Sequence, residues 1–196
     1  MTLSTTIALS LLISYLIGSI PFGLILTKIF AKKDIRSHGS GNIGATNVLR
    51  STNKKLGYIT FLLDGSKGLI SIYFVTLVLS VNSPMIIYYS GLCAIIGHIY
   101  PVWLKFKGGK GVATLIGVLF YHNIFFTISL LIGWYIIFYI TRIVAISSII
   151  LMVAVIIFFI IQWKLVYTSI IIAAMLIILK HRDNIKRIIQ GKENSF

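Results

Sequence analysis

Ser40-Gly-Asn-Ile-Gly-Ala-Thr-Asn-Val-Leu-Arg50 gathers small hydroxyls, amides, glycines and a guanidinium in a chain that is otherwise mostly apolar. Such a mixture suits an anion. Successive N–H groups of a glycine-rich turn form a concave nest for negative charge, and a helix beginning after it adds its positive end. Ser40 and Thr46 bring hydroxyls, Asn42 and Asn47 bring amides, and Arg50 brings a planar fork matched to phosphate or carboxylate. The stretch Gly39-Ser-Gly-Asn-Ile-Gly44 also fits the dinucleotide-binding fingerprint, but no strand–turn–helix unit surrounds it, so only the local anion chemistry carries over. The plain alternative is a connector with glycine turns.

A second loop of related chemistry follows at Lys107-Gly-Gly-Lys-Gly-Val-Ala-Thr114. Its spacing is not that of a Walker sequence, yet Lys107, Gly108, Gly109, Lys110 and Gly111 place ammonium groups and backbone donors ahead of an expected helix, where they can converge on one phosphate. A basic loop among lipid headgroups is the alternative. Asp64 and Lys67, three residues apart on one helix face, are expected to neutralise each other inside the protein rather than to take part in chemistry. His98 lies toward the inner end of the third apolar stretch, turned to the second loop, as a satisfied, helix-positioning histidine. His181 and Asn184 share a helical face beside Arg182 and Asp183, which is either a functional end or an ordinary solvated one. The four histidines, one cysteine and four acids have no metal-ligand spacing, so neither a metal nor a cofactor is expected.

The elements that must position these loops are membrane spans. Hydrophobic residues make up 58% of the chain, mean hydropathy is +0.98, and four acids face eighteen lysines and arginines. Apolar helices are predicted at about Leu3 to Ile29, Leu56 to Val81, Met85 to Leu104, Val112 to Tyr121, Ile124 to Ile140, Ile143 to Ile161 and Leu165 to Leu179. With seven crossings and the N-terminus outside, the cations of Lys28 to Arg36, Arg50 to Lys55, Lys105 to Lys110, Arg142 and Lys180 to Lys192 share one side, leaving Lys164 on the other and Lys67 within a span. That is the positive-inside pattern. The expected fold class is therefore an all-α integral membrane protein: a compact bundle of seven transmembrane helices, N-terminus outside, C-terminus cytoplasmic, residues 1–196 one domain. The short fourth helix needs irregular backbone beside it, covered by protein or lining a wet cavity near Gly108 to Gly111. Cys93 has no partner for an intrachain disulfide, and the first apolar run lacks the marks of a removed signal peptide. The lysines are interleaved with spans, so nucleic acid is not an expected partner whereas membrane lipid is. A transporter of phosphate or organic anions, with broken helices at its site, is the rival class, but no internal repeat stands out.

These residues resemble a known family. Ser40 to Arg50, Leu63-Asp-Gly-Ser-Lys-Gly68, Gly97-His-Ile-Tyr-Pro101, Phe106 to Thr114 and His181-Arg-Asp-Asn-Ile185 look like the blocks of the bacterial acyl-phosphate:glycerol-3-phosphate acyltransferases, the PlsY family, nearly end to end. The resemblance implies a seven-span enzyme of the bacterial cell (inner) membrane with its site toward the cytoplasm. Acyl phosphate and glycerol 3-phosphate would be the substrates, lysophosphatidic acid and inorganic phosphate the products, with no cofactor and no required oligomer. It also implies catalytic roles for Ser40, Arg50, Lys110, His181 and Asn184. Asn42, Asn47, Lys107, Gly108, Gly109, Gly111 and Ser148 are the further substrate-binding candidates. One departure stands at Arg142-Ile-Val-Ala-Ile-Ser-Ser148, where Ala145 occupies a position that is serine in many relatives and Ser148 fills a neighbouring one. Asp183 is expected to support structure.

Overall fold

The computed structural model describes residues 2–196 and is built of helices and connecting turns throughout them. The α-helices are α1 (Leu3–Ser19), α2 (Phe22–Phe30), α3 (Ala45–Ser51), α4 (Lys54–Tyr73), α5 (Pro84–Ile99), α6 (Val112–His122), α7 (Ile124–Thr141), α8 (Val144–Ile161), α9 (Thr168–Lys180) and α10 (Arg182–Ile189). Two compact units are formed, Met1–Val118 and Leu119–Phe196, divided within α6.

Each apolar stretch expected to be helical is helical over most of its length. Five helical segments are long and apolar enough to cross a membrane: Leu3–Phe30, Lys54–Val78, Pro84–Leu104, Ile124–Thr141 and Val144–Ile161. Leu165–Lys180 with Arg182–Ile189, bent by 50°, makes a sixth candidate if counted as one span. The 11 residues of α6 rise only about 16 Å, roughly half the hydrocarbon thickness. The first stretch differs from its expected continuous form because Pro21 lacks an N–H and pushes Ile20 out of helical geometry, to φ −62° and ψ 116°. Pro101 stops α5 in the same way, so the expected Met85 to Leu104 helix ends at Ile99 and continues as a 3₁₀ turn over Val102–Leu104.

In the first unit the usual polarity of a globular protein is inverted. Leu62, Tyr73 and Leu77 stand exposed, a surface suited to lipid, while Ser10, Ser14, Ser19, Thr60, Ser71 and Ser90 are buried. Several of these hydroxyls donate back one turn: Ser19 to the Tyr15 carbonyl, Thr60 to Leu56 and Ser71 to Lys67, at 2.8, 2.8 and 2.7 Å. Small residues then allow backbones to meet. A Cβ on Gly18 would overlap the Ala94 backbone, and one on Gly97 the Tyr15 carbonyl, so α1 and α5 touch along their length. In the second unit α8 packs against both α7 and α9. Phe126 stacks on Phe158 at 3.9 Å between ring centroids, and Phe159 meets His122 and Tyr167 edge-on.

Gly97→Val should therefore force α1 from α5 and cost about 2 kcal/mol or more. A thermal melt in detergent should show a midpoint several degrees lower; an unchanged midpoint would contradict the close approach.

Candidate active site

Helix α4 is the rail on which both glycine-containing loops hang. Gly57, Thr60, Asp64, Lys67, Gly68 and Ser71 recur at helical spacing and are all buried, as one face of an inward-turned helix must be. Gly57 admits Leu49 of α3, and a Cβ on Gly23 would strike both the Ile43 carbonyl and the Thr60 side chain. One turn further, the Thr114 hydroxyl donates to the Asp64 carbonyl at 3.0 Å, and Gly68 lets the Thr114 backbone approach. The supports of the two loops, Gly57 and Asp64, are thus about 10 Å, or two turns, apart along α4.

The first loop is held open by one buried amide. Asn47 Oδ1 accepts from the Ser40 N–H at 2.9 Å, while its Nδ2 donates to the carbonyls of Asn42, His38 and Ile35 at 2.8, 3.0 and 3.3 Å. Asn42 closes a smaller turn by accepting from the Gly44 N–H at 2.8 Å. Gly39 and Gly41 have φ of +56° and +70°, which favour glycine, and a Cβ at Gly39 would also strike Asn47 Oδ1. Ile35, Ile43 and Val48 fix the base of the loop against Leu24 and Leu56. This leaves Ser40 at the surface and Arg50 exposed in the last turn of α3. At the loop's entry, Asp34 accepts from Arg36 at 2.9 and 2.6 Å. The Arg36 guanidinium holds that carboxyl well below the usual carboxylate range, and Asp34 raises Arg36 in return.

The second loop folds back over the end of α5. Gly108 and Gly109 donate their N–H groups to the Ile99 and His98 carbonyls at 3.1 and 3.0 Å, giving two otherwise orphaned helix-end acceptors a partner. Their contribution is close approach: a Cβ at Gly108 would meet the His98 carbonyl and Pro101, and one at Gly109 would meet the His98 ring. Gly111, at φ +94°, turns the chain into α6, whose Leu115 N–H donates to its carbonyl at 2.9 Å. Lys107 and Lys110 flank this turn immediately before α6. Lys105 and Phe106 both take left-handed φ, 51° and 60°, a strained entry typical of functional loops.

Beneath that loop, Asp64 and Lys67 pair as the sequence leads one to expect, at 2.9 Å between Oδ1 and Nζ. His98 joins them, which sequence spacing does not reveal: Lys67 Nζ lies 2.9 Å from His98 Nδ1 and donates to the Ile20 carbonyl, also at 2.9 Å.

The second unit carries His181, Asn184 and Ser148, all buried. His181 ends α9 at the bend into α10, and its Nδ1 lies 2.8 Å from the Ile177 carbonyl. A carbonyl only accepts, so Nδ1 carries a proton, and in the neutral form of the ring the lone pair falls on Nε2. Asn184 donates to Glu193 Oε1 at 2.8 Å, and Arg187 to Glu193 Oε2 at 2.7 Å. Glu193 is the brace that sequence reading passed over; its one signal is an acid inside a basic tail. Asp183 is largely exposed, with Arg182 at 3.9 Å. Ser148 accepts from the Trp134 indole at 3.3 Å.

Asn47→Asp keeps the acceptor toward Ser40 but turns an oxygen toward three carbonyls, and should destabilise the first loop by about 3 kcal/mol. Hydrogen exchange should quicken over residues 35–47 with the helices still protected. Protection equal to that of the native chain would show that the amide is dispensable.

The glycerol-3-phosphate acyltransferase family model matches residues 8–191. The chain is 48% identical over 180 residues to the glycerol-3-phosphate acyltransferase of Pelagibacter ubique, covering 92% of each chain. It is 46% identical over 195 residues to that of Ehrlichia canis, covering 94% of this chain and 95% of the relative. Two crystal structures of PlsY (YgiH), described as an integral membrane glycerol 3-phosphate acyltransferase in its glycerol 3-phosphate and lysophosphatidic acid forms, superpose with TM-scores of 0.89 and 0.85. Identity to them is 36% and 35%, over 97% of this chain and 95% of theirs. With its apolar helices and with relatives matched along nearly their whole length, the chain is a multi-pass membrane protein that belongs to the glycerol-3-phosphate acyltransferase family.

Proposed function

We propose that this protein transfers a fatty acyl group from acyl phosphate to the sn-1 hydroxyl of glycerol 3-phosphate, releasing lysophosphatidic acid and inorganic phosphate. The observation that supports the reading is the pair of basic, glycine-containing loops carried two turns apart on α4, because both substrates are phosphates. The names of the relatives, and the ligand states of the two crystal structures, support the same acceptor and product.

The chemistry asks little of a protein nucleophile. Acyl phosphate is a mixed anhydride with a good leaving group, so the substrate hydroxyl oxygen attacks the acyl carbon directly. The bond from acyl carbon to phosphate oxygen then breaks, and phosphate departs with its electron pair. Arg50 and Lys110 hold phosphate and offset developing charge, while Ser40 and nearby N–H groups polarise the acyl carbonyl. Asn42 and Asn47 shape the first loop; Lys107, with Gly108 to Gly111, shapes and charges the second. Holding both phosphates in register supplies much of the acceleration. The hydroxyl proton passes to His181 Nε2 or to an oxygen of the departing phosphate. The assignments of His181, Asn184 and Ser148 rest on the resemblance of their sequence blocks.

The chain acts as one membrane-embedded domain of seven crossings in the bacterial cell membrane, N-terminus outside and the two basic loops toward the cytoplasm. The distribution of lysine and arginine supports this orientation. The acyl tail stays against apolar helix surface or lipid, and no second copy is needed.

Purified protein in detergent, given palmitoyl phosphate, should release phosphate only when glycerol 3-phosphate is present, with matching lysophosphatidic acid. Arg50→Ala should lower the rate about a hundredfold. Release that ignores the acceptor, or the absence of lipid product, would overturn the reading. His181→Gln separates the two proton routes: about a hundredfold fall in kcat at constant KM marks His181 as base, and a change of a few-fold marks the phosphate.

A further inference from the structure

We infer that Asp64, Lys67 and His98 form a positioning network that sets where the Gly108–Gly111 loop stands, and through it the affinity for the phosphate held there. The inference rests on the phosphate-binding role proposed for that loop. His98 is in this view a positioning residue, acting through the loop.

The network is buried in membrane-spanning helices, with relative exposures of 3% for Asp64, 1% for Lys67 and 4% for His98. A charge in such a place is costly and points to a task. Pairing alone would be met by Asp64 and Lys67 on their own helix, 2.9 Å apart. The ammonium instead reaches further, to the Ile20 carbonyl at the α1–α2 break and to His98 Nδ1. An ammonium only donates, so Nδ1 is the acceptor and the ring proton sits on Nε2. The ring is thereby fixed from one side. On its other side, Nε2 is the nearest atom that a Cβ on Gly109 would strike. The loop therefore rests on the edge of an imidazole whose angle is set by a buried ion pair.

Two further contacts make the arrangement specific to the loop. The Gly109 N–H donates to the His98 carbonyl at 3.0 Å, so backbone and ring of one residue hold one glycine. The Asp64 carbonyl accepts from Thr114 at 3.0 Å, which ties the far end of the loop, the first turn of α6, to the same residue of α4. Displacing the ring moves the loop while Lys67 and Asp64 still satisfy each other.

The two glycines provide the test, because they are obstructed differently. Gly109 does not have a left-handed φ, and the three nearest atoms to a Cβ there all belong to the His98 ring; for Gly108 they are the His98 and Ile99 carbonyls and Pro101. In His98→Asn the amide oxygen takes the place of Nδ1 as acceptor for Lys67, while the atoms that touch Gly109 are gone. Acyl transfer kinetics are measured in detergent for Gly109→Ala, Gly108→Ala, His98→Asn and both double variants, with thermal midpoints alongside. Gly109→Ala should raise KM for a phosphate substrate about tenfold with kcat changed by less than about threefold. Adding His98→Asn should abolish that penalty, so that the double variant matches His98→Asn alone, and should leave the Gly108→Ala penalty in place. A Gly109→Ala penalty of equal size in both backgrounds overturns the inference, as does a loss confined to kcat. If His98→Asn does not give folded protein, His98→Ala, which removes the ring while Lys67 keeps Asp64 and the Ile20 carbonyl, carries the same comparison. Failure of the native chain to form lysophosphatidic acid would overturn the proposed function instead.

Discussion

Lys67 must keep an ammonium group in the interior of a membrane-spanning helix, and what it finds there comes from three different segments. Asp64 lies one turn earlier on α4, the Ile20 carbonyl stands at the break before Pro21 where it also accepts from the Phe22 N–H, and His98 Nδ1 projects from α5. An uncompensated charge in this setting would be far costlier than any single contact in the unit. The break in the first span, the register of α4 and the rotation of α5 are consequently coupled through one nitrogen. Water is excluded from such a site, so the coupling is not diluted by solvent as it would be at a surface.

Ser19, Thr60 and Ser71 donate to their own helix one turn back, which lowers the cost of burying them without fixing a partner helix, whereas Thr114 reaches across to Asp64 on α4. Helix contact is then left mainly to glycines: Gly18 and Gly97 between α1 and α5, Gly68 and Gly117 between α4 and α6. Apolar side chains gain nothing by hiding from lipid, and backbone-to-backbone contact is what small residues allow. This is why the buried face of α4 carries glycine, threonine, aspartate, lysine and serine between Leu56 and Ile72.

Much of this frame was legible in the sequence. Seven apolar stretches gave seven helical regions, the three-residue spacing of Asp64 and Lys67 gave their pairing, and His98 does lie under the second loop. The parts that were not legible depend on distance in the chain. Nothing local says that His98, 31 residues from Lys67, supplies its third ligand, or that Glu193 reaches back to Asn184 and Arg187. Asn42 and Asn47 look alike beside their glycines. Only the return of the loop past Ile35 and His38 turns Asn47 into its central post, with four of its contacts to backbone. The first span reads as continuous because hydropathy averages over Pro21, whose missing N–H is a local event.

Both glycine loops turn out to be built on one plan. In the first, a Cβ at Gly39 would strike the Asn47 amide; in the second, a Cβ at Gly109 would strike the His98 ring. In each case the glycine lies on a buried polar side chain, which a larger residue would lift away. Glycine here serves close approach more than flexibility. Its conformational entropy is lost once, on folding, and the loops are then already shaped. For the proposed reaction, whose leaving group is good and which needs no protein nucleophile, such preorganisation is the main thing a protein can add. A polar post beneath a glycine turn is a direct way to provide it.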